Sequence, residues 1–253
     1  MVEKIFIITQ ARMGSTRLPG KIFKKIGDET LLSIHCHRLS KVKNADKIIV
    51  ATTKSKLDTQ VFEWATQNGF LSYAGSENDV LDRFYQAAKP YAPKWIVRVT
   101  SDCPLLDPIL VEEVIELAKD SKVDYCSNII VENFPDGQDV EVFTFESLEK
   151  AWKEARLPSE REHVTPYIRK NVNNKGLSLF TAKNFDCDGD YSEIRMTVDE
   201  EIDFQIISKL ITDLGKDKTW KEYVDYMFKH RLVDYNKDII RNEGYIKSIN
   251  KDK

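Results

Sequence analysis

The chain has 253 residues and a formal net charge of −3, with 38 lysines and arginines against 41 aspartates and glutamates. That near balance excludes the global basic field that draws a protein to nucleic acid or an anionic membrane, so any anion site must be local. The length allows one large domain or two small ones, no apolar run is long enough to insert in a membrane, and four scattered cysteines without a CxxC pair read as the reduced thiols of a cytoplasmic protein.

The first predicted element is a strand at Ile5–Thr9, and no signal-peptide pattern precedes it. The strand empties into Gln10-Ala11-Arg12-Met13-Gly14-Ser15-Thr16-Arg17-Leu18-Pro19-Gly20-Lys21. Glycine lets a backbone bend and approach a ligand closely. Exposed amides at Gly14 and Ser15 can donate to phosphate oxygens, and Arg12, Arg17 and Lys21 supply positive charge. Two commoner phosphate loops are excluded by spacing. Five residues separate Gly14 from Gly20 and Ile22 follows Lys21, so the Walker pattern is broken; GxGxxG is missing too. The segment reads as a phosphate loop of another kind rather than a solvated basic turn.

Helical spacing follows at Leu31–Leu39, then a strand at Lys47–Thr52. A helix at Leu57–Gln67 stops at Asn68-Gly69, a helix covers Val80–Ala88, a strand Trp95–Val99, and a helix Pro108–Ala118. This β-α order predicts an α/β fold, a three-layer Rossmann-like, mostly parallel sheet with helices on both faces. Ligands in such sheets sit at the carboxyl ends of strands. After Asn128 the rhythm changes, with strands at Gln138–Phe145, Leu177–Thr181 and Ile194–Val198. Helices are predicted at Glu146–Glu154, Glu160–Lys170, Glu201–Leu214 and Trp220–Phe228. One domain over 1–235 with a mid-chain insertion at about 128–190 is the economical organisation, and 236–253 reads as a polar surface tail.

Asp102 lies just past the strand at Trp95–Val99, where a carboxylate faces the ligand crevice. Asp199 again joins the end of a predicted strand to a helix. Two such aspartates fit magnesium, which takes one or two protein carboxylates and completes its shell with phosphate and water. Asp107 before Pro108 is a helix cap, and Asp203 is structural. Arg98 faces either a substrate anion or a salt bridge on the sheet rim. Ser76 or Asp79 caps the helix at Val80, and Arg83 pairs with phosphate or with Asp79 one turn away. Along the strand around Val140, Gln138 points one way and Asp139 and Glu141 the other. Glu162 and His163 belong to a helix that contacts substrate or merely forms surface. His35, His37 and His230 show no ligand spacing and are given core or surface roles.

From Ala11 to Lys21 the chain resembles the signature Ala-Arg-x-x-Ser-Thr-Arg-Leu-Pro-Gly-Lys of nucleotide-activating sugar transferases. The cytidylyltransferase branch fits best, above all the SpsF group and the CMP-KDO synthetases. Further matches extend to about Phe204: Asp79-Val80-Leu81-Asp82-Arg83, Asp102-Cys103-Pro104-Leu105, Gly137-Gln138-Asp139-Val140-Glu141, Glu162-His163-Val164-Thr165-Pro166-Tyr167 and Val198-Asp199 with Asp203. Where the family often has Thr-Pro after the late aspartate, this chain has Glu200-Glu201.

The resemblance implies the nucleotide-diphospho-sugar transferase fold and a loop wrapped around the triphosphate of CTP. Ala11, Arg12, Gly14, Ser15, Arg17, Lys21, Ser76 and Arg83 would then bind nucleotide. Asp102 and Asp199 would hold Mg2+. Arg98, Gln138, Asp139, Glu141, Glu162 and His163 would line the acceptor pocket. The insertion would cover the sugar and form a homodimer. The expected reaction is attack of an acceptor oxygen on the α-phosphorus with loss of pyrophosphate, helped mainly by alignment and charge neutralisation, with Arg12, Lys21 and Asp102 central.

Cytosine follows from the resemblance, and guanine is its rival. The acceptor stays open among a 3-deoxy-2-ulosonate such as KDO, a nine-carbon relative, a sugar phosphate, or another anionic compound for a surface glycan. A glycosyltransferase consuming a finished nucleotide sugar is the rival class. Its usual Asp-x-Asp motif is absent, since the site reads Asp102-Cys103-Pro104. A non-catalytic nucleotide-binding partner explains the charged loop and both aspartates least well.

Overall fold

The computed structural model describes residues 3–173 and 179–252. Strand β1 (Ile5–Gln10) is buried from Ile5 to Thr9, as suits a parallel strand covered on both faces. A short hairpin, β2 (Lys25–Ile26) with β3 (Glu29–Thr30), leads into helix α1 (Leu31–Leu39). Strand β4 (Lys47–Thr53) pairs with one side of β1, and β6 (Trp95–Thr100) with the other, both parallel. Beyond β4 lies β5 (Leu71–Gly75), also parallel. Strand β8 (Glu141–Thr144) runs antiparallel to β6. Strand β7 (Tyr125–Ser127) pairs antiparallel with β8 and parallel with β9 (Ala182–Asn184). The seven-stranded order is β5-β4-β1-β6-β8-β7-β9.

The strand period of two sorts the core into layers. Ile5 and Ile7 pack with α1, α4 (Pro108–Ser121), α8 (Glu201–Leu214) and α9 (Trp220–Lys229). Phe6 and Ile8 face the opposite layer, built from α3 (Val80–Ala88), α5 (Phe145–Glu154) and α7 (Pro166–Lys170). Helix α2 (Thr59–Gln67) sets Val61 and Ala65 against Val50 of β4. Side-chain caps start several helices as their sequences require. Thr30 accepts from the Ser33 amide, Asp79 from Asp82, and Asp107 from Ile109, with Pro108 in the first turn of α4.

Some elements differ from expectation. The strand at Gln138–Phe145 contracts to Glu141–Thr144. Glu160–Lys170 is two helices, α6 (Pro158–His163) and α7, separated by Val164 at φ 74°. Pro166, without an amide hydrogen, opens the second helix. Ile194–Val198 forms no ladder, only a single bridge between Arg195 and Asp136. The first residues of the strand expected at Leu177–Thr181 lie outside the described residues, and the pairing strand is β9 just after it.

The segment expected as a surface tail is instead folded onto the body. Helix α10 (Glu243–Ile249) packs against α6, and Ser248 is fully buried. Apolar spacing is weak there. What holds the segment are long-range polar contacts: Arg241 Nη2 to Asp139 Oδ1 at 2.7 Å and the Ser159 amide donating to Asp252 Oδ1 at 2.9 Å.

The chain leaves β1 for β4 on one side and later returns to β6 on the other. This places the topological switch between β1 and β6, and the crevice at their carboxyl ends is where such sheets bind ligands.

Candidate functional site

The loop after β1 is held open by its own bonds. Ala11 continues the strand pairing through its amide to Ala51 O at 3.0 Å. Asp58 anchors the turn by accepting from the Met13 amide at 2.6 Å and from the Thr53 hydroxyl. The amides of Ser15 and Gly20 both donate to Met13 O, so Ser15 is not a free anion donor as expected. The Gly14 amide has no acceptor among the described residues. Gly20, at φ 68°, turns the chain into a 3-10 turn that drives Lys21 inward.

Lys21 is 8% exposed, and its ammonium is fully coordinated. Nζ donates to Asp102 Oδ2 at 2.9 Å, Asp199 Oδ1 at 2.8 Å and Val198 O at 2.8 Å. Burial alone would lower its pKa, but the fields of Asp102 and Asp199 outweigh that and raise it. Burial likewise works to raise the Asp102 pKa, and Lys21 overcomes it, holding the carboxyl below its usual range. Asp102 is carried by the turn after β6, clamped by Val198 N donating to Asp102 O at 2.8 Å.

Arg195 is a hub that the sequence did not announce. It is 5% exposed and reaches Asp136 at 2.6 Å, Asp199 at 2.8 Å and Asp203 at 3.0 Å. Asp203 also accepts from the Asp199 and Glu200 amides at 3.0 Å, which fixes the start of α8. Its structural assignment stands, as does the capping role of Asp107. Arg17 completes the group from the loop, 3.0 Å from Asp199 Oδ2. Burial and neighbouring Asp139 push Asp136 up to about 7 against the pull of Arg195.

A cleft of about 200 Å³ opens beside these groups. Arg17, Arg98, Asp102, Asp139, His163 and Asp199 all line it. Arg98 is paired with Glu141, which is 1% exposed and also accepts from Tyr125 Oη at 2.7 Å. Both readings of Arg98 thus hold at once, since it is ion-paired and faces the cleft. His163 is held in the wall by a tight turn in which the Thr165 amide donates to His163 O at 2.9 Å, with Val164 in an unfavourable backbone region. Burial, then Arg98, lowers the His163 pKa to about 4, so its ring is neutral at pH 7.

Three expected acceptor groups sit differently. Gln138 is fully buried below the cleft, its amide engaged with the Asp107 amide at 2.9 Å and Leu105 O at 3.0 Å. Those two bonds hold its side chain in the core, since β8 begins only at Glu141. Glu162 lies outside the cleft, 3.5 Å from Lys251. Glu141 acts behind Arg98 rather than as a wall. At the β5 end, Arg12 is 3.5 Å from Glu77, and Ser76 Oγ accepts from the Asp79 amide at 3.0 Å. Arg83 is 3% exposed, and its Nε and Nη1 have no partner among the described residues. Asp79 is instead taken by Arg161. Burial, then repulsion from Arg12, lowers the Arg83 pKa to about 10.

The donor set suits a hard cation. Asp102 and Asp199 offer oxygen only, and one ammonium already spans them. No group of three or more His, Cys, Asp or Glu side chains poised for a metal occurs among the described residues. Two carboxylates are donors of the kind magnesium takes when phosphate and water complete its shell.

A family model described as cytidylyltransferase matches residues 5–239. A Methanocaldococcus jannaschii protein of uncharacterised function is 39% identical over 246 residues, 96% of this chain and 98% of that one. The spore coat polysaccharide biosynthesis protein SpsF of Bacillus subtilis is 32% identical over 231 residues, 85% of this chain and 89% of its own length. A solved cytidylyltransferase from Leptospira borgpetersenii is 34% identical and superposes with a TM-score of 0.85 over 94% of this chain and 100% of its own.

Proposed function

The chain belongs to the cytidylyltransferase family, and from that premise we propose that it couples CTP to an acidic sugar or sugar phosphate, releasing pyrophosphate, for a surface polysaccharide or glycan. The observation that carries this reading is the meeting of Lys21, Asp102 and Asp199 at the carboxyl ends of β1 and β6. A nucleotidyl transfer needs little covalent help. An acceptor oxygen forms a bond to the α-phosphorus, the bond to the β-phosphate oxygen breaks, and negative charge passes to pyrophosphate.

Each group has a part in that reaction. Arg12, Arg17 and the Gly14 amide bind the triphosphate, and Lys21 neutralises charge beside it. Asp102 and Asp199 hold magnesium, which supplies further neutralisation when bound. Arg195, 2.8 Å from Asp199, holds that carboxylate aimed at the site. Arg98, Asp139 and His163 form the acceptor wall. Arg83 and Ser76, near the β5 end, belong to the nucleotide side. The likeness to a spore coat polysaccharide biosynthesis protein supports the surface-glycan destination. No described helix is long and apolar enough to cross a membrane. A cytoplasmic homodimer remains our expectation, and sedimentation would check the dimer.

Purified protein would be incubated with each nucleoside triphosphate, magnesium and candidate acidic sugars, and pyrophosphate measured. Release with CTP is the expected result. Release with GTP alone would replace the base. Liberation of a nucleoside mono- or diphosphate from a sugar nucleotide would make the protein a glycosyltransferase.

A further inference from the structure

Three arginines line the cleft: Arg17, Arg98 and Arg169. Two are neutralised. Arg17 stands 3.0 Å from Asp199 and 3.4 Å from Glu243, and Arg98 is paired with Glu141. Arg169, on α7, has no carboxylate within 4 Å among the described residues. After the Tyr125 phenol, the group that bears most on it is Glu141, and that carboxylate is saturated. Its Oε2 takes Arg98, and its Oε1 accepts from the Tyr125 and Thr165 hydroxyls at 2.7 and 2.5 Å. Two guanidiniums around one carboxylate leave one positive charge, and neutral His163 adds none.

The position of Arg169 is also distinctive. A second cavity, of about 210 Å³, adjoins the cleft and shares Pro166, Arg169 and Tyr245 with it. Ile130 and Val172 give that cavity apolar walls. The guanidinium lies 5.9 Å from the ring centroid of Tyr245 on α10, which limits where it can swing. A planar fork of donors with no carboxylate within 4 Å among the described residues, at the mouth of a half-apolar chamber, is a receptor for a carboxylate or phosphate.

Resting on the reading above, we propose that Arg169, braced by Tyr245, anchors the anionic group of the acceptor. The sugar then extends from Arg169 toward the phosphate end of the cleft at Asp102. The C-terminal helix, by carrying Tyr245, is part of the acceptor site.

Calorimetric binding of three probes would test this: 3-deoxy-manno-octulosonate for the carboxylate source, glucose 1-phosphate for the phosphate source, and neutral glucose. Wild type, Arg169→Met and Arg169→Lys would be compared, with CTP affinity measured on each. We expect at least one anionic probe to bind wild type more tightly than glucose. That probe should lose at least tenfold in Arg169→Met and recover part of it in Arg169→Lys, with CTP affinity unchanged. The probe that suffers identifies the source. Equal affinity of wild type and Arg169→Met for the anion overturns the proposal, as does anion binding no tighter than that of glucose. Failure of wild type to bind CTP sinks the proposed reaction itself, a result distinct from lost anion discrimination.

Discussion

Lys21 Nζ lies 2.8 Å from Asp199 Oδ1 across 178 positions of sequence, and the same nitrogen holds Asp102. Removing the lysine leaves Asp102 without its cation and facing Asp199, which keeps only Arg17 and Arg195. Lys21→Met should therefore lose about 2 kcal/mol of stability at neutral pH, below the ~3–5 kcal/mol of a fully buried pair because both aspartates are partly exposed. Magnesium should raise the melting temperature of the variant more than that of wild type, since it replaces the missing charge. Thermal melts with and without magnesium check this, and an equal magnesium shift in both proteins would refute it.

Asp102→Asn should keep the fold but lower magnesium-dependent turnover of CTP by orders of magnitude. A chelator should silence wild type, and added magnesium should restore it. Full activity of the variant would remove Asp102 from the metal site.

Arg195 holds Asp136, Asp199 and Asp203 together in a buried cluster. Arg195→Met should cost ~3–5 kcal/mol in urea unfolding, because the stranded acids stay desolvated. Arg195→Lys should fall between the two, as an ammonium cannot reproduce the fork that reaches three acids.

Gly137 sits at φ 104°, and an added Cβ would lie 2.7 Å from Met196 C and Thr197 N. Those are backbone atoms of the segment leading to Asp199 and cannot swing aside. Gly137→Ala should lose at least ~2 kcal/mol. Gly27→Ala, at φ 59° with nothing within 4 Å of the added carbon, should lose only about 1 kcal/mol. Equal losses would show that backbone conformation alone matters at Gly137.

His35 is fully buried, and its pKa is lowered to about 4, burial being the main cause. Its Nδ1 donates to Cys103 O at 2.9 Å, so Nε2 accepts from the Thr9 hydroxyl at 3.0 Å and the ring is neutral. Between about pH 6.5 and 4 the unfolded chain binds a proton at this residue that the folded chain does not. Stability should fall as pH drops through that window, by ~3 kcal/mol in all. His35→Gln should be less stable at pH 7 but show a shallower decline toward pH 4. An unchanged slope of urea midpoint against pH would contradict the assignment.

Much of this architecture was legible in the chain. Ile5–Gln10, Leu31–Leu39 and Val80–Ala88 formed where apolar spacing and capping residues indicated. Strands β5 and β7 escaped notice. Leu71–Gly75 has little alternation, and Tyr125–Ser127 is only three residues long. Each is a strand because a neighbour offers it a ladder. The loop and both aspartates were visible because their charged residues and glycines stand in short stretches at predicted strand ends. Arg195, Arg169 and the C-terminal helix were not, since their partners lie far off in the chain.

The sequence by itself determined the strongly patterned elements, such as Ile5–Gln10 and Val80–Ala88, and which short stretches carried charge suited to phosphate. Periodicity, caps and glycine turns act over a few residues, so they are written locally. Only the tertiary structure decided which charges are neutralised and which remain to greet a ligand. That depends on which strand ends and helices meet, as when Arg241 takes Asp139 from 102 positions away while Arg169 is left facing the cleft.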